Sequence, residues 1–143
     1  MPIDGGQPRK IHNGDGVVLT PDGQHLIVQL IETGGVRWLK VGLDGSGEDT
    51  IPVKGDAHFT FVPIGPKAVG PDGRIVLPIA VKDSWFWAPA IFDPKTGTVE
   101  RIPLPFQADP PSPAWTSDGK IISVVYSLTS SLWRFRPSET PRR

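Results

Sequence analysis

The chain contains no cysteine. Disulfides and thiolate metal sites are therefore excluded, and the composition fits any compartment. It has no net charge, with 15 basic and 15 acidic side chains. Neither nucleic acid nor an anionic membrane is expected as a partner on electrostatic grounds. No run approaches 18 apolar residues, so no membrane-spanning helix is expected. Met1 to Gly6 has neither the basic region nor the apolar stretch of a secretory signal, and the chain reads as soluble, its compartment open.

Catalytic signatures are equally scarce. His12, His25 and His58 lie 13 and 33 residues apart, with no His-Glu-x-x-His pair, so no metal ligand is assigned. Gly45-Ser46-Gly47 is preceded by Asp44, not glycine, and no nucleophile elbow exists. Asp44 to Asp49 lacks the ligand order of a calcium loop and reads as a turn. No glycine pattern precedes a helix to hold phosphate. No cofactor, metal or catalytic residue is expected, and the chain reads as a non-enzyme.

Turn residues are abundant: 16 glycines and 17 prolines, spread along the chain. They punctuate a signature that occurs three times. Pro21-Asp22-Gly23, Pro71-Asp72-Gly73 and Ser117-Asp118-Gly119 each precede an apolar run. A tryptophan follows each glycine by 14 or 15 residues: Trp38, Trp87 and Trp133. The turns lie 50 and 46 residues apart, the tryptophans 49 and 46. A fixed period of this size marks a repeat architecture. No segment has helical periodicity. Runs of six to eight residues rich in Val, Ile, Leu and aromatics read as strands. The second strands, with Leu26-Ile27-Val28 and Ile75-Val76-Leu77, are apolar on both faces and are expected to be sandwiched. The fold class is therefore all-β, with about three four-stranded antiparallel propeller blades forming a partial ring.

The division is residues 1–15 as a spare strand (Gln7 to Ile11, after an Asp4-Gly5-Gly6 turn) and linker, 16–53 as blade one, 68–104 as blade two and 113–136 as blade three. Residues 54–67 and 105–113 read as linkers. The first strand of blade two is placed at Ala68 to Gly70 and its third at Phe86 to Phe92, after a turn at Lys82-Asp83-Ser84.

The pattern (Ser/Thr)-Pro-Asp-Gly-(Arg/Lys/Gln), an apolar strand, a short turn, Leu/Ile-Trp and an Asp-Gly turn resembles the TolB-like β-propeller repeat of bacterial proteins. Thr20 to Asp44-Gly45 carries it through Trp38. Gly70 to Asp93 carries it through Trp87, and Thr116 to Trp133 carries it again. Departures are Gly70 for Ser or Thr, Ser117 for proline, and no Asp-Gly turn after Arg136. The last leaves the third blade incomplete. The resemblance implies a WD-type interaction or sensor module that binds a protein, peptide or glycan. The alternative is the propeller part of a larger bacterial signalling kinase or peptidase, contributing binding without catalysis.

Asp22, Asp72 and Asp118 read as turn caps. The repeat tryptophans read as wedges between blades, Trp133 included. In a four-stranded blade, the turns after strands one and three share a face, and the tight Asp-Gly turns should leave little room there. The linkers and Ser84-Trp85 share the other face. Binding residues concentrate on such loops, which nominates His58, Phe59, Trp85, Phe106 and Asp109. Two assemblies are open: a homodimer in which Gln7 to Ile11 completes the partner's third blade, closing a six-bladed ring, and a longer propeller in which residues 1–11 finish a preceding blade.

Overall fold

The computed structural model describes residues 7–82, 84–127 and 129–134. Among them there is no helix, and ten strands form three antiparallel sheets. The Asp4-Gly5-Gly6 turn, Asp83 and the segment beyond Arg134 lie outside the described residues.

The first sheet is a meander of Gly16–Leu19 (β1), His25–Glu32 (β2), Gly35–Gly42 (β3) and Asp49–Ile51 (β4), in that spatial order. The second repeats the order with His58–Phe59 (β5), Ile75–Ala80 (β6), Ala88–Asp93 (β7) and Thr98–Arg101 (β8). The third has only Ala114–Trp115 (β9) and Ile121–Ile122 (β10). Blade three was expected to be incomplete; among the described residues two strands pair in this sheet, with an isolated bridge between Asp109 and Tyr126.

The three turns that define the repeat are built alike. The N–H groups of Gly23, Gly73 and Gly119 donate to the carbonyls of Thr20, Gly70 and Thr116 at 2.9, 3.0 and 3.1 Å. Each glycine has positive φ, 69°, 87° and 78°, where a Cβ is strained. Each aspartate carboxylate caps its turn. Asp22 accepts from the Thr20 hydroxyl and the Gln24 N–H, Asp72 from the Arg74 N–H, and Asp118 from the Thr116 hydroxyl.

Alternation along the strands sends side chains to two faces. Val18, Ile27, Trp38 and Ile51 of the first sheet meet Ile75, Leu77, Ile79, Ala88, Ala90 and Phe92 of the second in one core. Trp38 sits at its centre, with its ring 5.4 Å from Phe59 and 5.2 Å from Phe92. The opposite face of the first sheet carries a second cluster, Val28, Leu39 and Val41. The N-terminal segment adjoins this sheet: Gly14 lies against Val28 and Ile11 against Gly45. On the far face of the second sheet Val76 and Pro78 are buried, and they line a hollow of about 340 Å³ together with Pro111 to Ala114. Both second strands are thus apolar on both faces because both faces are packed.

Four expectations are corrected. Gln7 to Ile11 is not a strand. Arg9 Nη2 instead donates to the Asp44 carbonyl at 2.7 Å, and the segment lies along its own chain. The first strand of the second sheet is not Ala68 to Gly70 alone. His58 and Phe59 pair with Ala80 and Ile79, whereas Val69 bridges Ile75. Residues 60–67 leave the ladder between these two pieces; Pro63 and Pro66 have no N–H to give to it. Phe86 and Trp87 precede β7 and do not belong to it.

The fourth correction concerns the repeat tryptophans. Trp38 is 1% exposed, Trp87 is half-buried, and Trp133 is 76% exposed. Trp38 has a second sheet to pack against. Trp133 lies in a segment, 129–134, that pairs with no strand among the described residues. Gly70, which departs from the repeat, has a reason. A Cβ there would stand 3.0 Å from the Trp115 ring, whose residue is fixed beside this turn by its backbone N–H donating to the Lys67 carbonyl at 2.9 Å.

Candidate binding site

The meander order decides which loops meet. The turns after the second strand, the strand-to-strand linkers and the end of β8 come to one side. There, three adjoining hollows run from the first sheet to the linker that follows β8. One of about 480 Å³ lies between the Thr33-Gly34-Gly35 turn and Ala57 to Phe59. The next, about 490 Å³, shares His58 and Ala80 with it and adds Lys54, Asp56, Lys82 and Arg101. The last, about 240 Å³, shares Arg101 and runs past Ser84, Phe86 and Trp87 to Phe106 and Ala108.

The five nominated residues divide on this frame. His58 is exposed and lines both of the first two hollows. Phe106 is 51% exposed and lines the third. Trp85 is 96% exposed, with its neighbours Ser84 and Phe86 in the wall of that hollow. Ser84 braces the loop, since its hydroxyl donates to the Phe86 carbonyl and accepts the Phe86 N–H.

Phe59 and Asp109 are engaged in the fold, though Phe59 also lines the first hollow. Phe59 stacks edge-on to Trp38 and Phe92, at 5.4 and 5.5 Å. Asp109 Oδ1 accepts the Trp87 N–H at 2.7 Å, and its backbone exchanges two hydrogen bonds with Tyr126. Asp109 thereby holds the base of the Trp85 loop in place and spends its carboxylate doing so.

Arg101, Lys54 and Lys82 were not singled out by sequence. With Asp56 they give the middle hollow an excess of positive charge. The available signal was positional: Lys82 follows β6 and Arg101 ends β8.

The opposite side was expected to leave little room. Instead, a crevice of about 540 Å³ opens there, with Thr20, Asp22, Ile27, Lys40, Asp72 and Lys95 among its walls. The structure therefore brings two repeat aspartates to one crevice. Their carboxylates are held by turn donors, and both titrate below the usual range. For Asp22 the main cause is the Thr20 hydroxyl, and for Asp72 the Arg74 N–H. Among the described residues, no three His, Asp or Glu side chains come together as a metal-binding group. No helix there is long and apolar enough to cross a membrane.

No protein-family model matches the chain, and no curated protein aligns with it significantly.

Proposed function

We propose that the chain is a non-catalytic interaction module, a partial β-propeller of the TolB-like repeat type. It would take an extended segment of a protein or peptide along the side that carries the linkers. The blade reading rests on the repeat: three Asp-Gly turns closed by the same glycine N–H bond, two meanders of the same strand order, and second strands buried on both faces.

The observation that carries the binding reading is Trp85. A tryptophan 96% exposed loses the benefit of burial that normally keeps it inside. It stands on a braced turn, beside a hollow that also presents Phe106. Exposed aromatics on rigid loops are the residues that dominate interface energetics. The basic lining of Lys54, Lys82 and Arg101 favours a segment that carries carboxylates next to an apolar anchor.

The test is a panel of immobilised 12-residue peptides, acidic-aromatic against basic and neutral ones. Trp85→Ala should weaken the selected peptides at least tenfold, with the urea midpoint unchanged because the side chain packs on little. Arg101→Glu should weaken the acidic peptides selectively. Equal binding by wild type and Trp85→Ala would overturn the reading.

A further inference from the structure

The crevice on the side of the Asp-Gly turns holds a lysine on an apolar face. Lys40 on β3 pairs with Ile27 on β2 and lies two residues from Trp38. All three therefore share the face that meets the second sheet. Val18, Ile27, Trp38 and Ile51 otherwise make that face apolar. The second sheet has an isoleucine at the matching position. Leu19 pairs with Leu26 as Val69 bridges Ile75, and one step on, Ile27 pairs with Lys40 where Val76 pairs with Ile91. Lys40 is only partly exposed, and it makes no ion pair among the described residues. A partly buried ammonium gives up hydration, and an anion beside it would offset that cost.

The crevice has fixed walls. Ile27 and Ile51, 2% and 7% exposed, form its floor. Pro21, Pro71 and Pro94 line its sides. A Cβ on Gly73 would stand 3.7 Å from Pro21 Cδ, so the two Asp-Gly turns touch. The Lys54 N–H donates to the Gly97 carbonyl at 2.8 Å, which ties the turn carrying Pro94 and Lys95 to the end of the first sheet. The volume of about 540 Å³ falls within the range of small-molecule sites. The next junction along the repeat is filled instead. Trp115 lies against Gly70 there, with the Arg74 guanidinium 5.8 Å from its ring centre. The second repeat has only Val69 in the place of Trp115.

Four charged side chains line the crevice: Asp22, Asp72, Lys40 and Lys95. Asp72 is already paired with Arg74 at 2.6 Å. Asp22 is left against two lysines, an excess of one positive charge.

We propose that this crevice binds a small monocarboxylate with an aliphatic chain. The carboxylate meets the Lys40 ammonium, with Lys95 at the mouth, and the chain lies on Ile27 and Ile51 between the prolines. The single excess charge selects a monoanion, and the apolar floor selects the chain. The site lies across the molecule from the linker side and does not depend on the peptide reading.

The test is a titration of the full chain with sodium hexanoate, followed by backbone amide NMR. Saturable shifts should appear at Gly23, Lys40, Gly73 and Lys95, and not at His58 or Phe106, with half-saturation at roughly millimolar concentration or below. Acetate has the charge without the chain, and hexylamine has the chain with the opposite charge. Each should bind roughly tenfold more weakly or worse. Lys40→Met keeps the apolar stem and should lose hexanoate binding by a similar factor, while hexanol binds it as well as it binds wild type. Lys40→Arg keeps the charge and should retain most of the affinity. A urea midpoint no lower than that of wild type checks that each variant is folded.

The absence of saturable shifts with hexanoate would overturn the site. Shifts centred on His58 and Phe106 would place the carboxylate on the linker side and overturn it equally. Acetate binding as tightly as hexanoate would mean that exposed lysines take any anion. Equal hexanoate affinity in wild type and Lys40→Met would show that Lys40 does not hold the carboxylate.

Discussion

Gln29 on β2 and Ile64, in the excursion between β5 and β6, are joined by a hydrogen bond from the Ile64 N–H to Gln29 Oε1 at 2.8 Å. The other end of the same amide, Nε2, donates to the Val62 carbonyl at 3.2 Å. Gln29 is 2% exposed. One buried side chain of the first sheet thus replaces the ladder partners that residues 62 and 64 lack. Gln29→Leu would leave both backbone groups unpaired. At about 1–3 kcal/mol for each buried unsatisfied group, the loss should be roughly 2–4 kcal/mol, read from a urea midpoint. Gln29→Glu should show a pH signature. Burial raises the folded carboxyl's pKa above its unfolded value, so the deficit should shrink as pH falls from 7 to 5. A deficit independent of pH would mean that the residue is solvated.

Gly97 and Gly47 form a matched pair of turn glycines, with φ of 77° and 64°. A Cβ at Gly47 meets nothing within 4 Å, whereas at Gly97 it would overlap the Pro52 carbonyl oxygen. Gly97 also accepts the Lys54 N–H at 2.8 Å, tying the β7–β8 turn to the end of the first sheet. Gly47→Ala should cost about 1–2 kcal/mol, the left-handed penalty alone. Gly97→Ala should cost clearly more, because the two sheets must also separate. Equal losses in a denaturant melt would show that the sheets are not in contact at this point.

The repeat was legible because turn chemistry is local. Proline, aspartate and glycine state their geometry within four residues, and all three Asp-Gly turns form as read. The meander order followed from strand lengths and turn spacing. What was not legible depends on what lies across space. Trp38 and Trp133 hold the same place in the repeat, but only Trp38 has a facing sheet. Phe59 looked like a loop aromatic because its strand is two residues long and is followed by an eight-residue excursion. Gln29 gave no signal, since a polar residue in an apolar strand reads as a surface position until its loop partner is known. Of the nominated site, Trp85 and Phe106 reach solvent from loops, and His58 does so from the short strand β5. The engagement of Asp109 gave no local signal either: the N–H that its carboxylate accepts, that of Trp87, is 22 residues away.

The tryptophans supply the sharpest contrast within the repeat. Trp38→Ala removes a ring that touches Phe59 and Phe92 in the main core, and should cost about 3–5 kcal/mol. Trp133→Ala removes a side chain 76% exposed and should change stability by less than about 0.5 kcal/mol in the monomer. Trp38→Phe should fall well short of the alanine loss, because it also removes an indole N–H that is buried without a partner among the described residues. A large loss at Trp133 under conditions where the chain is monomeric would mean that the third sheet packs more fully.

Acid should loosen the turns. Asp22, Asp72 and Asp118 all titrate below the ordinary carboxyl range. The main causes are the Thr20 hydroxyl, the Arg74 N–H and the Lys120 side chain, respectively. The unfolded chain, with carboxyls near pKa 3.9, therefore binds more protons than the folded one in the acid range. The stability these groups contribute is present above about pH 4 and is lost as pH falls through their lower folded values. The triple variant Asp22→Asn, Asp72→Asn, Asp118→Asn keeps an acceptor oxygen in each turn but cannot titrate. It should be less stable than wild type at pH 7 and should lose less stability between pH 4 and pH 2, measured as urea midpoints. Identical acid limbs in the two proteins would show that the turn carboxylates titrate alike in the folded and unfolded chain, and that the three caps contribute no charge-dependent stability.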